Sequence, residues 1–174
     1  MFMKKVLFVF AIAMLSFGAV NAQESAAGGL HFGGGLRVAL PIGDFSNGTS
    51  FGLGLELQGE YLFSDKFSGT FTTGYTSFFA KEIDGEKGDN TGYIPVLAGV
   101  RVYPSPQFFI GAKAGLGIIT GGGESTSGFN YEPQIGYNGE KFQLALGYNA
   151  MTQKVMGISY TTGAIALTGI YKFN

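Results

Sequence analysis

Six charged residues, Arg37, Glu56, Glu60, Arg101, Lys113 and Glu132, stand in stretches where every second residue is apolar or small, and each falls on the opposite parity to the apolar set. Groups of these types can do acid–base work, line an ion path or bind one another. Glu56 and Glu60 lie two positions apart on one strand face, a spacing open to acid–base chemistry. Three positive against three negative groups favour mutual neutralisation through charge-assisted hydrogen bonds, with Arg37 and Arg101 as partners of Glu56 and Glu60. The alternative is a narrow solute path, although a selective pore is expected to favour one sign. His31 is the single histidine and there is no cysteine, so neither a Ser-His-carboxylate triad nor a metal cluster can be assembled from spacing. His31 is the best candidate for a lipid-modifying activity, the third reading, but as a polar residue inside a channel it needs no such role. Gly52-x-Gly54 and Gly115-x-Gly117 precede no helix start and are not phosphate cradles. The expectation is no catalytic residue, no cofactor, no metal and no enzymatic activity.

The elements that must hold these residues follow from composition. Only 13% of the 174 residues are charged, against about a quarter in a soluble domain, while 45% are hydrophobic. Eleven Lys and Arg against twelve Asp and Glu leave no basic footprint for nucleic acid. Residues 1–22 have the form of a cleaved secretory signal: Lys4 and Lys5, an apolar run from Val6 to Leu15, and small residues at Val20-Asn21-Ala22. A short periplasmic tail over 23–29 is expected to lead into one domain over 30–174. No later apolar run is long enough for a spanning helix, so a membrane location requires a closed β-barrel.

Period-two alternation supplies the strands. Eight runs are expected: Leu30 to Ile42, Phe51 to Phe63, Phe67 to Ala80, Gly92 to Tyr103, Phe108 to Thr120, Phe129 to Asn138, Lys141 to Met151 and Ile158 to Phe173. Each meets the roughly 9–11 tilted residues that cross a bilayer. Connections alternate between tight turns and longer loops, as in an outer-membrane barrel with short periplasmic turns and longer extracellular loops, and an even strand count puts both termini on the periplasmic side. A Lys or Arg on lipid costs about 2–4 kcal/mol at the midplane, so the charges assign their own face to the lumen. A soluble lipocalin-like barrel needs the reverse arrangement. Glycines on the charged face make room for the long side chains. Tyr61, Tyr75, Tyr93, Tyr103, Tyr131, Tyr137, Tyr148 and Tyr171, with Phe, are expected to form the interface girdles in the absence of Trp. Pro95 and Pro133 should produce bulges or fraying, Phe78 and Ile119 should cap the lumen, and the acidic loop 81–91 is open to calcium or a protein partner. Gly121 to Gly128 is expected to be a flexible loop tip.

With these residues in place the chain resembles the outer-membrane protein β-barrel domain family, the OmpA-like and PorT-like small eight-stranded barrels of the Gram-negative cell envelope. The sharpest local element is the final strand, ending Gly169-x-Tyr171-x-Phe173, which is similar to the signal that barrel-assembly machinery reads; Asn174 after the closing aromatic departs from it. The resemblance implies an all-β, antiparallel up-and-down barrel integral to the outer membrane. It also implies contact with outer-membrane lipid and lipopolysaccharide, recognition by the assembly machinery, and membership of a larger outer-membrane complex as one option. It implies no particular task, because such barrels include structural, adhesive, enzymatic and accessory members. The residues favour a plugged lumen and a structural or accessory role.

Overall fold

The computed structural model describes residues 29–83, 86–155 and 158–173, so the expected signal over 1–22 and the tail up to residue 28 lie outside the described residues. The alternating runs become β1 (Leu30–Ile42), β2 (Thr49–Ser64), β3 (Phe67–Ala80), β6 (Thr91–Ser105), β7 (Phe108–Gly121), β8 (Glu124–Asn138), β9 (Phe142–Val155) and β10 (Ile158–Lys172). They close in the ring order β1-β10-β9-β8-β7-β6-β3-β2, every pair antiparallel. β10 pairs with β1 from Gly33↔Lys172 to Ile42↔Gly163, which leaves the sheet no edge along its middle. The small strands β4 (Glu82–Ile83) and β5 (Glu86–Lys87) form a separate hairpin inside the 81–91 connection. A one-turn helix, α1 (Phe45–Gly48), fills the connection between β1 and β2.

The two faces sort as the parity predicts. Leu36 and Leu55 on the outer wall are 68% and 64% exposed, whereas Arg101 and Lys113 on the inner wall are each 2% exposed. Outer-wall rings gather towards both rims. Phe108–Tyr137 and Tyr137–Phe142 lie 5.7 and 6.1 Å apart at the rim that carries the chain ends, here the proximal rim. Phe51–Phe79 lie 4.9 Å apart towards the distal one, and Tyr131–Tyr148 lie 6.4 Å apart near the middle of their strands. Tyr93 and Tyr103 do not join these girdles; each is 4% exposed and points inward. Their odd positions in β6, opposite in parity to Ile94, Val96, Val100 and Val102, demand that orientation.

Several element boundaries move. β2 begins at Thr49 and ends at Ser64, β6 runs to Ser105, and β10 ends at Lys172, although the Phe173 amide still bonds the Phe32 carbonyl at 2.8 Å. The segment Gly121 to Gly128, expected as a loop, is mostly ladder. β7 and β8 stay paired up to Gly121↔Glu124, and only Gly122 and Gly123 turn, with φ of 59° and 85°. That double positive φ is what a two-residue hairpin turn needs, and glycine adopts it without a Cβ clash. β9 likewise continues past Met151 to Val155.

Pro95 and Pro133 cause neither bulges nor fraying. Each interrupts one ladder and leaves its register intact: pairing passes from Thr73↔Val96 to Thr76↔Tyr93 around Pro95, and from Tyr131↔Ala150 to Gln134↔Gly147 around Pro133. On the other side Pro95↔Gly117 and Ala112↔Pro133 persist. A proline lacks one donor, which faces one neighbour only, so the loss is one-sided. Register shifts fall elsewhere, between Thr49 and Gly52, Leu62 and Ser64, and Val102 and Ser105, at the strand ends.

Candidate functional site

The candidate site is the lumen, which is organised in layers. Nearest the proximal rim, a cavity of about 470 Å³ is lined by His31, Gln58, Glu60, Tyr103, Gln143 and Lys172 among others. His31 is the register partner of Glu60 across β1 and β2. Both Glu60 oxygens are engaged: Oε1 accepts from Ser68 Oγ at 2.6 Å and from the Tyr103 hydroxyl, and Oε2 accepts from Arg101 Nη1 at 3.2 Å and Gln143 Nε2 at 2.9 Å. Gln58 joins Arg101 Nη2 at 2.7 Å and reaches across the lumen to Gln143 at 2.8 Å. The Arg101 guanidinium also lies 4.2 Å from the Phe109 ring centroid, a cation–π contact. Lys172 Nζ donates to the Gly139 carbonyl at 2.6 Å, beside the same cavity.

In the middle of the barrel four charges form an alternating ring. Arg37 contacts Glu56 at 2.9 Å and Glu132 at 2.5 Å, while Lys113 contacts Glu56 at 3.1 Å and Glu132 at 2.9 Å. All four side chains are at most 3% exposed. Arg37 and Glu56 come from β1 and β2, Lys113 and Glu132 from β7 and β8, pairs that face one another across the closed ring. The Arg37–Glu132 and Lys113–Glu56 bridges therefore span the barrel, and no single strand pair could form them. Asn149 Nδ2 donates to Glu132 at 3.0 Å and to the Tyr93 hydroxyl at 3.1 Å, tying the ring to the next layer.

Towards the distal rim that next layer is apolar: Phe78, Tyr93, Met151, Ala39, Ala164 and Ala166 are buried together, with Phe45 of α1 and Ile119 packed on them. Phe45 meets Phe78 edge-on at 5.0 Å. Phe78 and Ile119 thus sit where the parity predicts, while Phe45 comes from a connection with no alternation to read.

Glycine placement explains how long side chains fit. Glu56 is flanked in register by Gly35 and Gly74, Arg101 by Gly111, Lys113 by Gly99, and Arg37 by Gly54. A Cβ at Gly111 would lie 2.9 Å from Arg101 Cγ, and one at Gly99 would lie 2.7 Å from Lys113 Cγ. Overlaps of that size in a packed interior force the neighbour out of its rotamer.

All six sequence-predicted charges are thus brought into two ion-paired groups, Arg101–Glu60 and the Arg37–Glu56–Lys113–Glu132 ring. Tyr103, Tyr93, Gln58, Gln143, Asn149 and Ser68 were missed as network members, although their parity carried the signal. The final-strand residues Gly169, Tyr171 and Phe173 lie at the proximal end of β10, with Tyr171 and Phe173 54% and 62% exposed on the outer wall and their rings 6.3 Å apart. The 81–91 connection includes 84 and 85, which lie outside the described residues, so its calcium or partner reading has no geometry to meet.

Solved structures share this architecture. The Yersinia pestis attachment invasion locus protein Ail superposes with a TM-score of 0.55 at 17% identity, covering 85% of this chain and 100% of that one. The N-terminal β-barrel domain of Pseudomonas aeruginosa OprF gives 0.55 at 12% identity, covering 82% and 97%. Neisserial surface protein A gives 0.53 at 15% identity, covering 86% and 100%. At these identities the likeness concerns the fold. No curated protein matches the sequence significantly. The family described as outer membrane protein beta-barrel domain matches residues 10–173, nearly the whole chain. With an eight-stranded closed barrel, an apolar outer wall and Arg37, Glu56, Glu60, Arg101, Lys113 and Glu132 turned to its interior, the chain belongs to the outer membrane protein β-barrel domain family and is integral to the outer membrane.

Proposed function

We propose that this protein is a barrel with a side-chain-plugged lumen that serves a structural or interaction role at the outer membrane, without conducting solutes. The observation that carries the reading is the four-charge ring spanning the barrel, backed on its distal side by the apolar layer. An ion would have to break buried bridges and then pass the packed side chains of Phe45, Phe78, Tyr93 and Met151. Purified protein in planar bilayers is expected to give no steady single-channel conductance. A sizeable steady conductance overturns the reading in favour of a narrow pore.

The same reading places both chain ends in the periplasm, on the side of the three tight turns around residues 65–66, 106–107 and 139–141. A tag after Asn174 is then expected to resist protease added to intact cells and to be cleaved once the outer membrane is permeabilised; cleavage in intact cells reverses the orientation. The exposed Gly169-x-Tyr171-x-Phe173 end of β10 is the surface offered to the barrel-assembly machinery. Lipid and lipopolysaccharide cover the two aromatic belts, and a larger outer-membrane complex would be met at the rims or the outer wall.

A further inference from the structure

The distal apolar layer contains one aromatic ring that no barrel strand supplies. Phe45 comes from α1, and its ring packs edge-on against Phe78 at 5.0 Å, while Phe78 in turn meets Tyr93 at 6.5 Å and 62°. Phe78, Tyr93, Ile119 and Met151 wall the slot that receives the ring, and Thr91 and Thr162 add hydroxyls to its lining. About 10 Å³ of open space remains around the ring. The slot is shaped for one aromatic ring, and the chain itself fills it.

The element that carries the ring is weakly built. α1 is a single turn of four residues with no side-chain cap, far below the length at which a helix is stable by itself. It lies between Gly43, whose φ is 61°, and Gly48, and a Cβ at either glycine would meet nothing within 4 Å. Both joints therefore have room to turn. Lys81, just after β3, latches the element by donating its amide to the Gly48 carbonyl at 2.9 Å and Nζ to the Ser46 carbonyl at 2.7 Å.

We propose that this slot is a binding site for a small aromatic molecule with one polar substituent, with α1 as its lid and Phe45 as a built-in competitor. The ligand ring would take the place of the Phe45 ring, where edge contacts with Phe78 and Tyr93 and the Met151 sulfur favour an aromatic over a saturated ring. Its polar group would bond the Thr91 or Thr162 hydroxyl. Space for one ring is enough, since an apolar cavity of about 150 Å³ binds benzene. Ligand and closed lid exclude each other, so the apparent affinity is the intrinsic affinity scaled by the fraction of open lid. Lifting α1 also parts Lys81 from Ser46, which passes occupancy on to the exposed 81–91 connection. The site lies on the distal side of the charge ring and goes beyond the plugged-lumen reading without disturbing it.

The test uses the full barrel in lipid nanodiscs, methyl-labelled at methionine, with p-cresol as the probe and the Met151 methyl resonance as the reporter. A saturable shift is expected, and Phe45→Ala should bind p-cresol about tenfold more tightly because the competitor is gone. Lys81→Met removes the latch and keeps the ring, and should tighten binding by a smaller factor. The saturated analogue methylcyclohexanol should bind about fivefold more weakly than p-cresol. Equal affinity in the wild-type protein and Phe45→Ala overturns the proposal, as does a shift in Phe45→Ala that rises without saturating, which marks partition into lipid. Should Phe45→Ala fail to fold, equal affinity in the wild-type protein and Lys81→Met overturns it instead. The planar-bilayer recording is independent of every one of these results, so this proposal and the plugged-lumen reading fail separately.

Discussion

Glu132 is the residue on which the lumen network turns. It accepts from Arg37, Lys113 and Asn149, and its removal would leave two cations sharing Glu56 in a site closed to water. Breaking a buried pair from one side costs about 3–5 kcal/mol, because the stranded charge has lost its solvation without compensation. Glu132→Gln is therefore expected to lower the unfolding free energy by about that amount in urea titrations of the barrel in lipid vesicles. Adding Lys113→Met to that variant restores the charge balance and should recover a large part of the loss, and a purely additive double variant would show that the ring is not coupled. The identity of these residues was legible in the alternation. The network's neutral members were harder, because Gln58, Gln143 and Asn149 are ordinary polar residues until closure brings β2, β6, β8 and β9 around one space.

At the scale of elements, alternation located all eight strands and misplaced several ends. Period two has no signal where both faces are polar or small, as in Glu124 to Gly128, of which residues 124–127 are exposed; pairing with β7 alone extends the strand there. The hairpin depends on its turn: with Gly122 and Gly123 both at positive φ, a Gly122→Ala/Gly123→Ala variant pays roughly 1–2 kcal/mol per residue. Local opening should follow, seen as faster amide exchange in 119–126 with the barrel middle unchanged; uniform acceleration would place the turn among the determinants of global stability instead. The two prolines teach a related point. Sequence can say that a donor is missing, but which ladder loses it depends on which neighbour that nitrogen faces.

For the whole molecule the question is closure of the lumen. Two barriers of different chemistry lie in series, the ion-paired ring and the apolar layer of Phe78, Met151 and Ile119 under Phe45. Removing one should leave the other in place. Arg37→Ala and Phe78→Ala are each expected to stay silent in planar bilayers, while the double variant should pass small steady currents. Conductance in the Phe78→Ala single variant would show that the charge ring alone does not hold ions back.

The sequence by itself determined the barrel and its facing. Any strand with alternating parity in lipid must turn its charges inward, because a misplaced Lys or Arg carries a cost of several kcal/mol and a one-residue slip would exchange the faces. That penalty is local to each strand and can be read one strand at a time. Only the tertiary structure decided which charges meet, that Tyr93 and Tyr103 join them, and that β10 outruns β1 at the distal rim. Those outcomes depend on strands half a barrel apart and on the relative heights of neighbouring ladders, and no spacing along the chain encodes a distance across a closed ring.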